Sequence, residues 1–188
     1  FNKTVDDQIV NKTFAELAHD VKAIASWLDK KDYSGKHIAI IGSTSYHWVA
    51  TFLGIVCSAN VVVPVDKMLS EKEMINILKM GDVDIVFASQ EFEHLLQTME
   101  QNPSQNIKAI RFAGDDFQNI LHTELVPLPE INPDGLAEIL FTSGTTDISK
   151  GVMLSQKNIC ANLMEYYRMN ILENIYCEPV AMSVLPIH

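Results

Sequence analysis

The stretch HIAIIGSTSYHWVATFLGIVCSANVVVPV, residues 37–65, decides the fold. HIAIIG (37–42) is a short β-branched run closed by Gly42, the pattern of a strand buried on both faces. SYHWVATFLGIVCSA (45–59) is longer and largely apolar, which fits a buried helix, and it leads into VVVPV (61–65), a second strand ending at a proline. The same alternation extends outward in both directions. Upstream, Thr13 and Glu16 have the S/T-x-x-E spacing of a capping box, and Leu17, Val21, Ile24, Ala25 and Leu28 follow at helical spacing, which predicts a helix from about Thr13 to Lys30. Downstream, Ser70 and Glu73 form a second capping box opening a helix to about Met80. VDIVFAS (83–89) reads as a strand, 91–101 as a helix and IKAIRF (107–112) as a further strand.

The connector ELVPLPEINPDG (124–135) holds three of the chain's seven prolines and interrupts regular structure. Beyond it, AEILFTS (137–143) resumes as a strand, GVML (151–154) as a short one, 155–169 as a helix and VAMSVLPIH (180–188) as a last strand. Strands alternating with helices predict an α/β fold, a mostly parallel sheet with helices on both faces. The connector divides it into sub-parts of about 1–123 and 136–188.

The 188 residues suffice for a real core, and 47% hydrophobic against 20% charged residues is a globular balance. Lys plus Arg number 14 against 24 Asp plus Glu, a net charge of −10. Such a surface repels nucleic-acid phosphates, so a nucleic-acid partner is excluded. An anionic ligand would need local backbone donors and a placed cation. The three cysteines (Cys57, Cys160, Cys177) are odd in number and widely spaced, which argues against disulfides or zinc and for a reducing compartment, the cytoplasm. No signal peptide is visible at the start, and no run approaches the ~18 apolar residues of a transmembrane segment. A chain beginning at Phe1 rather than Met is expected to be a piece of a longer protein.

FTSGTTDISKG (141–151) has the composition of a phosphate-binding loop, placed behind a buried strand. Thr142, Ser143, Thr145 and Thr146 supply hydroxyls, Gly144 and Gly151 conformational freedom, and Lys150 a cation. An ordinary polar turn is the alternative, since the same residues are common turn formers. A Walker A loop, G-x-x-x-x-G-K-[ST], is excluded by spacing, because Ser149 precedes the lysine and Gly151 follows it. A Rossmann fingerprint is excluded as well, because the turn after the first strand, GSTSY, has a single glycine.

ILFTSGTTDISKGVMLSQKN (139–158) resembles the phosphate-binding signature of the adenylate-forming enzymes, the superfamily of acyl-CoA synthetases, firefly luciferase and peptide-synthetase adenylation domains. Phe141 through Thr146, Lys150, Gly151, Val152 and Ser155 match its usual form, Y/F-T-S-G-T-T-G-x-P-K-G-V followed by S-H. YHWVATFLGIVCSANVVVPVDKMLS (46–70) resembles an early stretch of the family, and VLPIH (184–188) a later L-P-x-x-H motif. The resemblance is narrowest to bacterial AMP-forming long-chain fatty-acid CoA ligases. Asp147, Ser149 and Gln156 depart from the pattern, standing where the family has glycine, proline and histidine.

The resemblance implies that residues 1–188 are an incomplete N-terminal AMP-binding domain, with the family's C-terminal domain absent. It implies a two-step ligase reaction. A carboxylic acid, expected to be a fatty acid, attacks ATP carried with Mg²⁺, forming an acyl-adenylate and releasing pyrophosphate; coenzyme A then displaces AMP. Thr142, Ser143, Gly144, Thr145, Thr146 and Lys150 would bind the ATP phosphates, with Lys150 a supporting charge. Residues 1–188 alone are expected to be inactive. The alternative is a non-catalytic nucleotide- or acyl-binding relative on the same scaffold.

Other reactive side chains carry less. His19, His37, His47, His94 and His122 have no metal-ligand spacing, and His188 is a residue at a strand end. Asp82/Asp84 and Asp115/Asp116 flank strands or open turns and read as solvated charge. Trp48 and Phe52 read as core, and Asp66 and Lys67 as a turn.

Overall fold

A computed structural model describes residues 2–5, 8–101, 107–142 and 150–169. In chain order these form β1 (Asn2–Val5), β2 (Gln8–Asn11), α1 (Phe14–Lys30), β3 (His37–Ile41), α2 (Tyr46–Val56), β4 (Val61–Val65) and α3 (Glu71–Met80). Then follow β5 (Ile85–Ala88), a 3-10 turn (Gln90–Phe92), α4 (Glu93–Glu100), β6 (Lys108–Arg111), α5 (Asp115–Leu121), β7 (Leu136–Thr142), β8 (Lys150–Ser155) and α6 (Gln156–Arg168). β1 and β2 form a separate antiparallel hairpin, while the other strands make one sheet in the order β6-β5-β3-β4-β7-β8. Every pairing in that sheet is parallel except β7 with β8 at the edge. The expected α/β class, with a mostly parallel sheet, is what the chain adopts.

Side-chain alternation explains how one sheet serves two cores. Ile38, Ile40, Val62, Ile85, Phe87 and Ile110 point to the face covered by α1, α2 and α5, where they pack on Ile24, Leu28, Trp48, Ile55 and Phe117. Ala39, Ile41, Val63, Val65, Val86 and Ala88 point to the other face, against Met74, Ile77 and Leu78 of α3 and Leu95, Leu96 and Met99 of α4. Strands buried on both faces have no polar side, which is why 37–41, 61–65 and 85–88 read as continuous apolar runs. Pro64 lies inside the buried β4, in register with Ile40, rather than ending it. Lacking an N–H, it removes one donor from a ladder of this interior strand. β4 keeps its pairing with β7 in register at Val62 and Glu138.

Both capping boxes form as the spacing predicts. Thr13 and Glu16 exchange backbone contacts of 2.8 and 3.1 Å, and Ser70 and Glu73 contacts of 2.8 and 3.4 Å. Each cap is worth about 1 kcal/mol. The Thr13 amide and hydroxyl hold the Glu16 carboxyl below its ordinary range, and the Ser70 hydroxyl and amide do the same for Glu73. Gly54 of α2 faces Ile24 of α1 so closely that a Cβ would stand 2.7 Å from the isoleucine Cγ2.

Three elements differ from expectation. α5 was not anticipated: Asp115 and Asp116 form its acidic first turn, where the helix dipole favours them, rather than flanking a strand. The β1–β2 hairpin is also additional. The helix expected over 91–101 begins as a 3-10 turn and becomes regular only at Glu93. The connector carries no helix or strand from 123 to 132 and is tied to α1 by the Val126 amide, which donates to the buried Ser26 hydroxyl at 3.0 Å. The strand expected over 180–188 lies outside the described residues.

Candidate functional site

Strand β7 enters the sheet with Ala137 fully buried and Ile139 nearly so, and it emerges with Thr142 exposed. An irregularity between Leu136 and Glu138 shifts its register against β8, after which the two strands pair residue by residue. Ile139 faces Met153, Leu140 faces Val152, Phe141 faces Gly151 and Thr142 faces Lys150. Residues directly opposite each other in an antiparallel pair project from the same face, and successive pairs alternate. The Thr142 hydroxyl and the Lys150 ammonium therefore share one face of the hairpin, both exposed. Phe141 and Gly151 share the opposite face, which looks onto the α3–α4 core. The expected ligand residues Ser143, Gly144, Thr145 and Thr146, together with Asp147 and Ser149, lie outside the described residues, as does His188.

Gly151 needs no left-handed backbone; the positive-φ glycines among the described residues are Gly35 and Gly42. Its lack of a side chain matters instead. A Cβ there would stand 3.2 Å from Ile139 Cγ2 and 3.3 Å from Phe141 Cε1. The other edge of the same ring lies against Gly81, the C-cap of α3, where a Cβ would be 3.4 Å from Phe141 Cε2. That cap is fixed by its own bonds. The Gly81 amide donates to Ile77 O at 2.8 Å, and His37 Nδ1 lies 2.6 Å from the Gly81 carbonyl. A carbonyl only accepts, so Nδ1 carries the proton in this contact.

Beyond the hairpin, Ser155 caps α6 through Asn158. The Ser155 amide donates to Asn158 Oδ1 at 2.9 Å and the Asn158 amide to Ser155 Oγ at 3.2 Å. Gln156, one of the departures from the family pattern, donates its side-chain amide to Val56 O of α2 at 3.1 Å, tying the start of α6 to the sheet's helical layer. The Lys157 amide donates to Pro133 O at 2.8 Å, which ties it to the connector. The S-x-x-N spacing could have flagged the cap. Nothing in the sequence could have paired Phe141 with Gly81, sixty positions away.

The remaining candidates serve structure. Asp84 accepts from Lys36 Nζ at 2.9 Å and from the His37 amide at 3.1 Å, so it is a latch at the amino end of β3 and not a solvated charge. The bond to Asp84 raises the Lys36 ammonium above its ordinary value. Lys67 Nζ donates to Ser43 Oγ at 2.8 Å, joining the ends of β3 and β4, and Asp66 accepts from the Met68 amide at 2.8 Å. His94 sits 3.0 Å from Glu71, and His47 packs on Phe112 and Phe117. Trp48 stacks on Phe52 with ring centroids 5.5 Å apart, as core residues do. Burial raises both the Cys57 thiol and the Glu138 carboxyl. Among the described residues no three His, Cys, Asp or Glu side chains are grouped to hold a metal, and no helix is long and apolar enough to cross a membrane.

Comparison with known proteins gives these features a family. A fatty acid–[acyl-carrier-protein] ligase, ScoC, of Streptomyces coeruleorubidus is 29% identical over 153 residues, 79% of this chain and 29% of its own length. A D-alanine–D-alanyl carrier protein ligase of Lactiplantibacillus plantarum is 30% identical over 159 residues, 84% of this chain and 30% of its own. The chain thus spans less than a third of the curated relatives it matches. Among solved structures, a Mycobacterium tuberculosis fatty acyl CoA synthetase superposes with a TM-score of 0.74 at 19% identity, over 85% of this chain and 32% of that one. ATP-bound MatB from Rhodopseudomonas palustris superposes with a TM-score of 0.72 at 23% identity, over 86% and 33%. At such identities the likeness is one of fold. The family model for AMP-binding enzymes matches residues 2–188, and the chain belongs to that family.

Proposed function

We propose that the chain supplies the phosphate-holding part of an AMP-forming acid–thiol ligase, which activates a fatty acid as its acyl-adenylate and transfers the acyl group to coenzyme A. The observation that carries this reading is the pairing of Thr142 with Lys150, which brings a hydroxyl and an ammonium to one exposed face at the two ends of the signature. In the reaction, a carboxylate oxygen of the acid attacks the α-phosphorus of MgATP, and the bond to the β,γ-pyrophosphate breaks. Negative charge grows on that leaving group. Lys150 and Thr142, with Ser143, Gly144, Thr145 and Thr146 between them in the chain, would hold it and offset the charge by electrostatics and positioning. The thiol then attacks the acyl carbon and AMP leaves. Dependence on ATP and coenzyme A suits a cytoplasmic protein.

A charge-assisted hydrogen bond to phosphate is worth about 1.5–3 kcal/mol, so Lys150→Ala should lower kcat/KM for MgATP by about ten- to a hundredfold. The assay is acid-dependent exchange of labelled pyrophosphate into ATP by the full-length protein, with fatty acids of graded length. ATP binding without acid-dependent exchange would overturn catalysis and favour a non-catalytic binder on the same scaffold. A carrier-protein thiol is the second reading for the acceptor, because the names of both curated relatives specify carrier proteins. Product analysis with coenzyme A and with a carrier protein separates the two.

A further inference from the structure

We propose that Phe141 is a positioning residue for the nucleotide: from the core side of the β7–β8 hairpin, its ring sets where Thr142 and Lys150 stand. The inference rests on the reading above that these two residues contact ATP. Phe141 immediately precedes Thr142, and Gly151 immediately follows Lys150, so the ring belongs to the neighbour of one residue and touches the neighbour of the other. The two edges of the ring meet different bodies. Cε1 and Cζ lie against Gly151, 3.3 and 3.4 Å from where a Cβ would be, and Cε2 lies against Gly81, at 3.4 Å. Glycine at both places lets the ring fill the gap between the hairpin and the α3 cap without a void.

The ring's rear support is rigid. α3 buries Met74, Ile77 and Leu78, and its cap is held by the Gly81 amide and by the bond from His37 Nδ1. The hairpin's outer strand has little other support, since Val152 is 44% and Met153 70% exposed. Because alternation turns Thr142 and Lys150 away from Phe141, the ring acts through the backbone and stays clear of the substrate. A shift of one strand against the other would change the separation of hydroxyl and ammonium and so weaken their joint hold on the phosphates.

The test uses the full-length protein and the pyrophosphate-exchange assay, below the melting temperature of every variant. Phe141→Ala is expected to raise KM for MgATP about tenfold or more, with kcat changed less than about threefold and KM for the acid unchanged. Phe141→Tyr keeps the ring and should restore KM. Met99→Ala, in the same core but remote from the hairpin, should lower the melting temperature without moving KM. Gly151→Ala should also raise KM, and by less in the Phe141→Ala background, because the added methyl then has no ring to strike. If Phe141→Ala fails to fold, Phe141→Leu is read in its place by the same criteria.

Two failures are distinct. If Lys150→Ala raises KM while Phe141→Ala or Phe141→Leu leaves it unchanged, the positioning role is overturned and the site reading stands. If neither Lys150→Ala nor Phe141→Ala moves kcat/KM for MgATP, the site reading is overturned and the positioning role with it.

Discussion

Asn60 offers a quantitative test of how the sheet and its helices are joined. It is fully buried between α2 and β4, and its amide is bonded on both sides. Oδ1 accepts from the Lys36 amide at 2.8 Å, and Nδ2 donates to Tyr33 O at 3.0 Å, Ser58 O at 3.2 Å and Ser58 Oγ at 2.9 Å. The bonds to Lys36 and Tyr33 cross from the α2–β4 turn to the α1–β3 loop, so one side chain sutures two connections. Asn60→Ala orphans two such backbone groups at about 1–3 kcal/mol each, a total of roughly 2–6 kcal/mol. With a urea slope of about 2 kcal/mol per molar, the midpoint should fall by about 1–3 M. Fluorescence of Trp27 and Trp48, the chain's two tryptophans, reports the transition.

Asn60→Asp sharpens the test, because the shape is kept and only the donor is lost. At neutral pH its carboxylate would face the Tyr33 and Ser58 carbonyls, buried and without a cation, since the Lys36 ammonium is bonded to Asp84. Its folded pKa should be raised above the ordinary Asp value. The destabilisation is then greatest above the folded pKa and shrinks as pH falls through it, because the protonated form is neutral and regains an O–H donor. An unfolding free energy for Asn60→Ala within about 0.5 kcal/mol of wild type would refute the reasoning. So would an Asn60→Asp variant no less stable than Asn60→Ala at neutral pH.

Two further outcomes follow from single contacts. Burial raises the Glu138 carboxyl, so its ionisation costs stability as pH rises through the folded value. Glu138→Gln should therefore unfold at higher urea than wild type at about pH 8 and converge with it near about pH 4; parallel curves across that range would contradict the burial cost. Ser26→Ala removes the acceptor of the Val126 amide, at about 1–2 kcal/mol of local stability. Thermolysin should then cut the 124–135 connector several-fold faster, and an unchanged rate would show that the connector is held elsewhere.

Which features were legible follows from the range of the forces that make them. The strand–helix–strand run at 37–65 and the two capping boxes are set by neighbours within a few residues, so composition and spacing declare them. α5 was hidden because it has seven residues, and its acidic start, Asp115 and Asp116, looks like solvated surface until a helix is seen behind it. Asp84 was hidden for a different reason. Its partners, Lys36 and His37, come from the far end of a parallel crossover, and only the register of β3 with β5 brings them together. At the site, the order of residues from Phe141 to Gly151 pointed to phosphate chemistry. The reason for Gly151 was misassigned to backbone freedom, because the ring that requires it is visible only across the hairpin.

The hairpin is built unevenly, and that bears on how it would work. β7 is tied into the sheet through β4 and buries Ala137 and Ile139, whereas β8 is an edge strand whose first four residues are exposed. α6 behind it shows Leu163 and Met164 at 50–66% exposure, and Met169 just past its end is exposed as well. Local stability follows buried apolar contact, so the Thr142 side of the site is anchored by the sheet and the Lys150 side by few contacts. Among the described residues they include the ladder to β7, the bonds of Gln156 to Val56 and Gly135 and of Lys157 to Pro133, and Ile139 and the Phe141 ring against Gly151. In a chain of net charge −10, a phosphate would have to be held by cations set in place beforehand, so on the proposed function the contacts that place Lys150 would bear on affinity as directly as its charge.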